Sequence, residues 1–285
     1  MANHYRDVAV APGLRAGRRS RPARTRLSVS AEGLPRGARP LGGAAQSAGR
    51  GDHNSAEGPP QGARPLGGAA RSAVRGDHTL LIFAKEPVPG QVKTRLAVAL
   101  GAARAAQIYR ELTSLTLAHA VAARGAGVIG AIELWCAPSS ASSYFRGIAA
   151  ANGVSLHTQA EGDLGARMTH AIAGGLARAE AVLLVGTDCP VLDPGWLAQA
   201  TVLLASHDAV LGPAEDGGYV LVGARRPLPF AGVRWSSPHA LADTTAGFGR
   251  AGIRWAALPV LWDVDEPADL TRWEALQQTL PATTR

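Results

Sequence analysis

Phe83-Ala84-Lys85-Glu86-Pro87-Val88-Pro89-Gly90-Gln91-Val92-Lys93-Thr94-Arg95-Leu96 is the stretch on which the reading of this chain turns. It closes a short apolar run, Leu80 to Ala84, of the length and composition of a buried strand. Two prolines and a glycine then break the run into a loop. The loop delivers Lys93, Thr94 and Arg95 to the start of a helical pattern. A strand that passes to a helix in this way is the repeating unit of an α/β sheet domain. Unsatisfied backbone N–H groups at a helix start favour an anion, so phosphate is the expected ligand of this loop. The competing reading is a solvated basic turn. Gly90 stands alone before Lys93, so the loop is not a Walker A motif, and the chain has no Gly-x-Gly-x-x-Gly dinucleotide fingerprint. Pro87 and Pro89 stiffen the loop, while Gly90 can take φ > 0 or let an anion approach closely.

Outward from this stretch, apolar runs of strand length alternate with helical stretches. Ala102–Arg124 reads as a helix, Val128–Cys136 as a strand, Ser142–Ala151 as a helix and Val154–Thr158 as a strand. Leu164–Ala177 follows as a helix, and Ala181–Val185 as a central strand apolar on both faces. Asp193 is an N-cap with Pro194 at the first helical position, for a helix that runs to Ala205. Ala209–Gly212 and Tyr219–Gly223 are strands around a tight Asp216-Gly217-Gly218 turn. A helix, strand and helix end the chain at Pro238–Gly249, Ile253–Leu258 and Pro267–Thr279. The fold class is α/β: a single Rossmann-like domain over residues 78–285, with a mainly parallel sheet flanked by helices.

The formal charge of +7 invites a nucleic-acid reading, but it is unevenly placed. Residues 1–77 hold 13 Arg and no Lys against 5 acids, whereas residues 78–285 hold 16 basic and 17 acidic residues, a balance of −1. The first 77 residues are rich in Gly, Pro, Ala and Arg, and 18 of 22 positions of Glu32–His53 recur in Glu57–His78. Two such copies lack a hydrophobic face, so the segment reads as a disordered tail, or as upstream sequence translated ahead of the domain. It has few aromatics to stack bases, which makes nucleic acid an unlikely partner. No run of 18 apolar residues is present, so no membrane-spanning helix is expected. The two cysteines, Cys136 and Cys189, are too few for a disulfide framework and suit a reduced, cytoplasmic setting as small buried hydrophobes.

In open α/β sheets, ligands bind beyond the carboxyl ends of the strands. Three acidic clusters fall there. Gly186-Thr187-Asp188-Cys189-Pro190 follows the central strand, and Asp188 suits a hard divalent cation held by one or two carboxylates plus nucleotide phosphates. Its alternative is a turn or cap role, which Asp193 already fills. Gly212-Pro213-Ala214-Glu215-Asp216-Gly217-Gly218-Tyr219 is by itself a hairpin turn; beside Asp188 it can present Asp216, Gly217, Gly218 and Tyr219 to an acceptor. In Trp262-Asp263-Val264-Asp265-Glu266-Pro267, Asp263 and Asp265 precede the last helix and can point into the site, whereas Glu266 and Asp269 read as helix-start acids. A cationic loop facing carboxylates fits a nucleotide whose phosphates are bridged by Mg2+ or Mn2+.

FAKEPVPGQVKTRL, VGTDCP, GPAEDGGYVLVG and WDVDEP, in that order, resemble the bacterial transferase family associated with radical-SAM proteins and arsenosugar biosynthesis. That family has a nucleotide-diphospho-sugar transferase fold of the GT-A type. The loop is also similar to that of 2-phospholactate guanylyltransferases. The resemblance implies that Lys85, Lys93 and Arg95 face nucleotide phosphates, with Gly90 and Thr94 in the same loop, and that Asp188 is the metal-binding aspartate. EGDLGARM, Glu161 to Met168, resembles a segment near the acceptor side, which brings in Asp163 and Arg167; Ala166 stands where an acidic residue is common. The candidate catalytic set is Lys93, Asp188 and Asp216, and the candidate metal ligands are Asp188, Asp263 and Asp265. The implied activity is a metal-dependent glycosyltransferase taking a nucleotide sugar and a small-molecule acceptor. The alternatives are a nucleotidylyltransferase using a nucleoside triphosphate, and a non-catalytic nucleotide-binding module.

Overall fold

A computed structural model describes residues 78–280. The expected disordered tail, residues 1–77, lies outside the described residues. Seven strands form one sheet: β1 (His78–Lys85), β2 (Ala131–Ala137), β3 (Ser155–Thr158), β4 (Ala181–Val185), β5 (Ala209–Pro213), β6 (Tyr219–Ala224) and β7 (Trp255–Ala257). Their order is β3-β2-β1-β4-β6-β5-β7. All pairs are parallel except those of β6, which runs antiparallel to both β4 and β5. The tight turn after β5 sends the chain straight back, whereas most other connections cross over through helices. The expected mainly parallel sheet flanked by helices is present.

The helices are α1 (Thr94–Leu100), α2 (Ala102–Gly125), α3 (Ser143–Asn152), α4 (Leu164–Leu176), α5 (Pro194–Leu204), α6 (Ala240–Arg250) and α7 (Leu270–Thr279). Period-two alternation in the strands divides the core. Leu80, Ile82 and Ala84 of β1 and Leu183 and Val185 of β4 face α2, α3 and α5, meeting Leu117, Phe145, Leu197 and Leu204. Leu81, Val182 and Leu184 face α4 and α6, meeting Met168, Ile172 and Phe248. Both faces are covered, which is why β1 and β4 read as unbroken apolar runs. A smaller cluster of Leu96, Ile108, Leu112, Leu115, Val264 and Trp273 fastens α1, α2 and α7 together beside the cationic loop. One buried acid joins the core: Glu133 of β2 accepts from Arg178 at 2.8 and 3.0 Å and from Trp135 Nε1 at 3.1 Å.

Asp193, Asp163 and Ser142 cap α5, α4 and α3 through the amides of Trp196, Ala166 and Phe145. Several element starts differ from expectation, those of β1, β2, α6 and β7 among them, whereas α2 starts at Ala102 as expected. Gly101, at φ 81°, separates a seven-residue α1 from the 24-residue α2. Gly127 at φ 73° and Gly130 delay β2 until Ala131. The last helix starts with a single 3-10 turn, Pro267–Asp269, in which Glu266 and Asp269 cap each other's backbone. No helix among the described residues is long and apolar enough to cross a membrane.

Candidate active site

β1 lies between β2 and β4, so the crossovers on its two sides diverge and leave a crevice beyond its carboxyl end. A cleft of about 690 Å³ occupies this position. Its walls include Lys85 at the end of β1, Lys93 to Arg95 from the following loop, Gly186 to Cys189 after β4, Asp163 and Arg167 of the α4 start, Tyr219, Asp263 and Asp265. Five segments far apart in sequence thus reach one site because each follows a parallel strand, precedes a helix or, for Tyr219, begins the antiparallel β6 at the same sheet edge.

The charges are paired across the cleft. Lys93 Nζ stands 2.5 Å from Asp188 Oδ1 and 3.7 Å from Asp265 Oδ1, a close ion pair rather than a well-directed hydrogen bond. The Lys93 side chain is 3% exposed, against 45% for Asp188 and 41% for Asp265, so the carboxylates open to the cleft while the ammonium is covered. Arg95 Nη1 lies 2.9 Å from Asp265 Oδ2 and 3.5 Å from Glu266 Oε1. Lys93 and Arg95 therefore already have anionic partners, where the sequence suggested cations waiting for phosphate. The helix they start is short, and Lys93 precedes it in a left-handed conformation (φ 49°, ψ 46°). The cleft cations without a carboxylate partner among the described residues are Lys85 and Arg167. Arg167 donates its Nε to Gly162 O at 3.0 Å and leaves its terminal nitrogens toward the cleft region.

Asp263 is half-buried, and its carboxyl is pushed up to about 6, chiefly by burial and then by the charges of Asp216, Asp188 and Asp265, with Lys93 opposing. The backbone hangs this loop on the β4 end: Val264 N donates to Asp188 O at 2.9 Å. Asp269 Oδ2 accepts from the amides of Asp265 and Glu266, the helix-start role expected of it. Arg272 of α7 grips Glu215 at 2.7 Å and lies 4.4 Å over the Trp262 ring, so Trp262 is engaged by the protein.

Asp216 makes the turn: its Oδ1 accepts from Gly218 N at 2.8 Å, and it reaches the site through its charge on Asp263. Gly217 has φ 86°, and a Cβ there would stand 2.4 Å from Pro238 O, so only glycine fits. Gly218 belongs to the same turn, while Tyr219 lines the cleft with its hydroxyl 3.4 Å from that of Thr244. Gly90 adopts φ 83° in the turn before the cationic residues, and Thr94 lines the cleft. Asp163 caps α4 from the cleft wall.

Three cleft residues escape a reading of the sequence. Tyr109 of α2 accepts a 2.7 Å hydrogen bond from Lys85 N and is hydrogen-bonded to Thr187; burial pushes its hydroxyl up to about 12. It buckles the ends of β1 and β4 together, yet in sequence it is one more member of an apolar helix face. Gln159 Nε2 donates to Ala84 O and Trp135 O over the ends of β1 and β2. Ser236 lines the cleft at φ 55°, a left-handed residue that no local pattern announces.

The donor set suits a hard divalent cation. Four carboxylates (Asp188, Asp216, Asp263 and Asp265) share the neighbourhood with two cations, Lys93 and Arg95. Among the described residues no three acidic, histidine or cysteine side chains form a ready cage. This fits an ion held by one or two carboxylates together with ligand phosphates, the habit of Mg2+, rather than an all-protein site.

Residues 117–237 match the family described as an uncharacterized protein conserved in bacteria, DUF2064. That span contains Arg167, Asp188 and Asp216 but neither the Lys93 loop nor Asp263. A solved protein from Desulfovibrio desulfuricans G20, provisionally assigned as a nucleotide-diphospho-sugar transferase, is 27% identical. The likeness covers 72% of this chain and 98% of that one, with a TM-score of 0.61. A cytidylyltransferase from Leptospira borgpetersenii shares the fold at 13% identity, covering 74% and 90% of the two chains, with a TM-score of 0.50. No curated protein matches the sequence. The solved neighbours are thus transferases of the nucleotide-diphospho-sugar and nucleotidyl types. The arsenosugar and guanylyltransferase affinities suggested by the motifs have no counterpart in these matches.

Proposed function

We propose that this chain is a metal-dependent transferase that takes a nucleotide-activated sugar and passes its glycosyl group to a small-molecule acceptor. One observation carries the reading: Lys85 and Arg167, which have no carboxylate partner among the described residues, share one cleft with the carboxylates of Asp188, Asp263 and Asp265. A nucleoside diphosphate has the complementary structure, phosphate oxygens for the cations and a bridged metal for the acids. Asp188 and Asp263 are the residues that would hold Mg2+ or Mn2+, which when bound neutralises the charge growing on a departing diphosphate. Lys85, held at its amide by Tyr109, orients the phosphates. Asp163 and Tyr219, which line the same cleft, would receive the acceptor, next to the Asp216–Gly218 turn. The two buried free cysteines accord with a reducing cytoplasm, with both thiols pushed up to about 12 by burial and therefore inert.

The test is release of nucleoside diphosphate from a panel of nucleotide sugars, with Mg2+ or Mn2+. Asp188→Ala and Lys93→Ala should each cut turnover by about 10²-fold or more while the far-UV spectrum stays native. Undiminished turnover in either variant would sink the assignment. A nucleotidylyltransferase is the second reading, favoured by the same two cations without carboxylate partners, which could serve the larger charge of a triphosphate. Pyrophosphate release from nucleoside triphosphates, in place of diphosphate release from nucleotide sugars, would decide for it.

A further inference from the structure

We infer that Lys93 is a resident counter-ion of the cleft carboxylates, displaced when a divalent metal arrives, so that metal and nucleotide bind as a coupled pair. The inference rests on the metal-dependent reading above. Its first support is position. The ammonium bridges Asp188 and Asp265 from the covered side, where it satisfies the charge that a cation in the cleft would otherwise meet. Its second is residue choice. Of 29 Lys and Arg residues the chain has only two lysines, Lys85 and Lys93, and both line this cleft. Everywhere else its cations are arginine. An ammonium is a compact point charge on a flexible stem and can stand in for a small ion, whereas the planar guanidinium fork is built for fixed bidentate pairing. The third is backbone. Lys93 has φ 49°, a conformation that costs a non-glycine residue and is held here by its surroundings, strain of the kind that collects at ligand sites.

The charge balance sets the direction of the coupling. When all are ionised, four carboxylates less Arg95 carry about −3, of which Lys93 cancels one charge and a divalent ion in its place would cancel two. A metal arriving alone must drive the Lys93 ammonium off its partners with no other anion to receive it. A metal arriving with a diphosphate brings new oxygens for that ammonium. Metal alone therefore binds weakly, and each ligand raises the other's affinity by the same factor.

Mn2+ binding to the full chain, followed by the free-ion paramagnetic resonance signal, tests this with Mn2+ alone and with UDP, GDP, CDP, ADP and dTDP in turn. In the wild type one or more diphosphates should tighten Mn2+ by about tenfold or more. Lys93→Met should bind Mn2+ alone about tenfold more tightly than the wild type and gain less from the diphosphate. Mn2+ affinity in Lys93→Met equal to or below wild type, with coupled binding in the wild type intact, overturns the counter-ion role and leaves the transferase reading standing. A wild type that binds no diphosphate with Mn2+ overturns both. Should Lys93→Met not fold, wild-type chain with 13C-labelled lysine gives two side-chain signals, assigned through Lys85→Arg. The Lys93 signal should move with Mg2+ plus the diphosphate that binds and stay in place with Mg2+ alone. A signal that never moves refutes the displacement.

Discussion

Asp263 stands behind three other carboxylates, with its proton held up to a pH of about 6 against a reference value of 3.8. A raised acid contributes stability that is full below its unfolded value and is lost as pH rises through the folded one. The metal-free wild type should therefore lose melting temperature relative to Asp263→Asn between pH 5 and pH 7.5, and a saturating Mg2+–diphosphate pair should remove the difference. Parallel pH profiles for the two chains would contradict the burial argument. At Lys93, the arginine that the chain uses almost everywhere else should fail: Lys93→Arg should lose about 10²-fold in turnover, because a planar fork cannot replace a point charge between Asp188 and Asp265. Some of this was legible in sequence. Asp188 announces itself by following an apolar strand, and Asp263 and Asp265 by preceding a helix. That they face the Lys93 loop across one crevice was legible too, but direct ion pairing with Lys93 was not, because helix-start reasoning predicts an external anion between the two instead.

Elements were read well where a side chain caps or a turn demands glycine. Asp193 was legible as the cap of its helix and Asp216-Gly217 as the hairpin turn, while the caps at Asp163 and Ser142 emerge only in the structure. The start of the long helix at Ala102 was legible, but the seven-residue α1 before Gly101 was read only as the start of a helical pattern, since one glycine is tolerated within a helix at a cost of about 1 kcal/mol. Tyr109 acts at this scale, between strands. Tyr109→Phe keeps the ring but deprives Lys85 N of its acceptor, so urea unfolding should register a loss of about 1–2 kcal/mol and turnover should fall with it. A variant with full stability and full turnover would deny the buckle any role. On the other face of the sheet, Arg178→Met should cost about 2–3 kcal/mol by leaving the buried Glu133 carboxylate with only Trp135 Nε1 and, at 3.6 Å, His157 beside it, discounted because Arg178 is half-exposed. Adding Glu133→Gln should restore part of that loss in a double-mutant cycle.

Across the whole molecule, composition and fold tell different stories. The net charge of +7 is made of +8 in residues 1–77 and −1 in residues 78–285. Removing the first 77 residues should abolish retention on a cation-exchange column at pH 7 and leave diphosphate release unchanged. A parallel drop in turnover would assign those residues a part in the reaction. Alternation of apolar runs and helical stretches was enough to predict a covered, mainly parallel sheet. The order β3-β2-β1-β4-β6-β5-β7 was beyond it, because a right-handed crossover can return to either side of β1 and only long-range packing decides which.

The hydrogen bond from Val264 N to Asp188 O, with Arg272 clamped on Glu215 and Trp262, has a practical corollary for anyone shortening this polypeptide. Cutting before α7 would release the strap that carries Asp263 and Asp265 and let the floor of the crevice swing loose. Engineering from the carboxyl end thus touches chemistry within a few dozen residues, and tags or fusions there should be separated from Leu280 by a spacer.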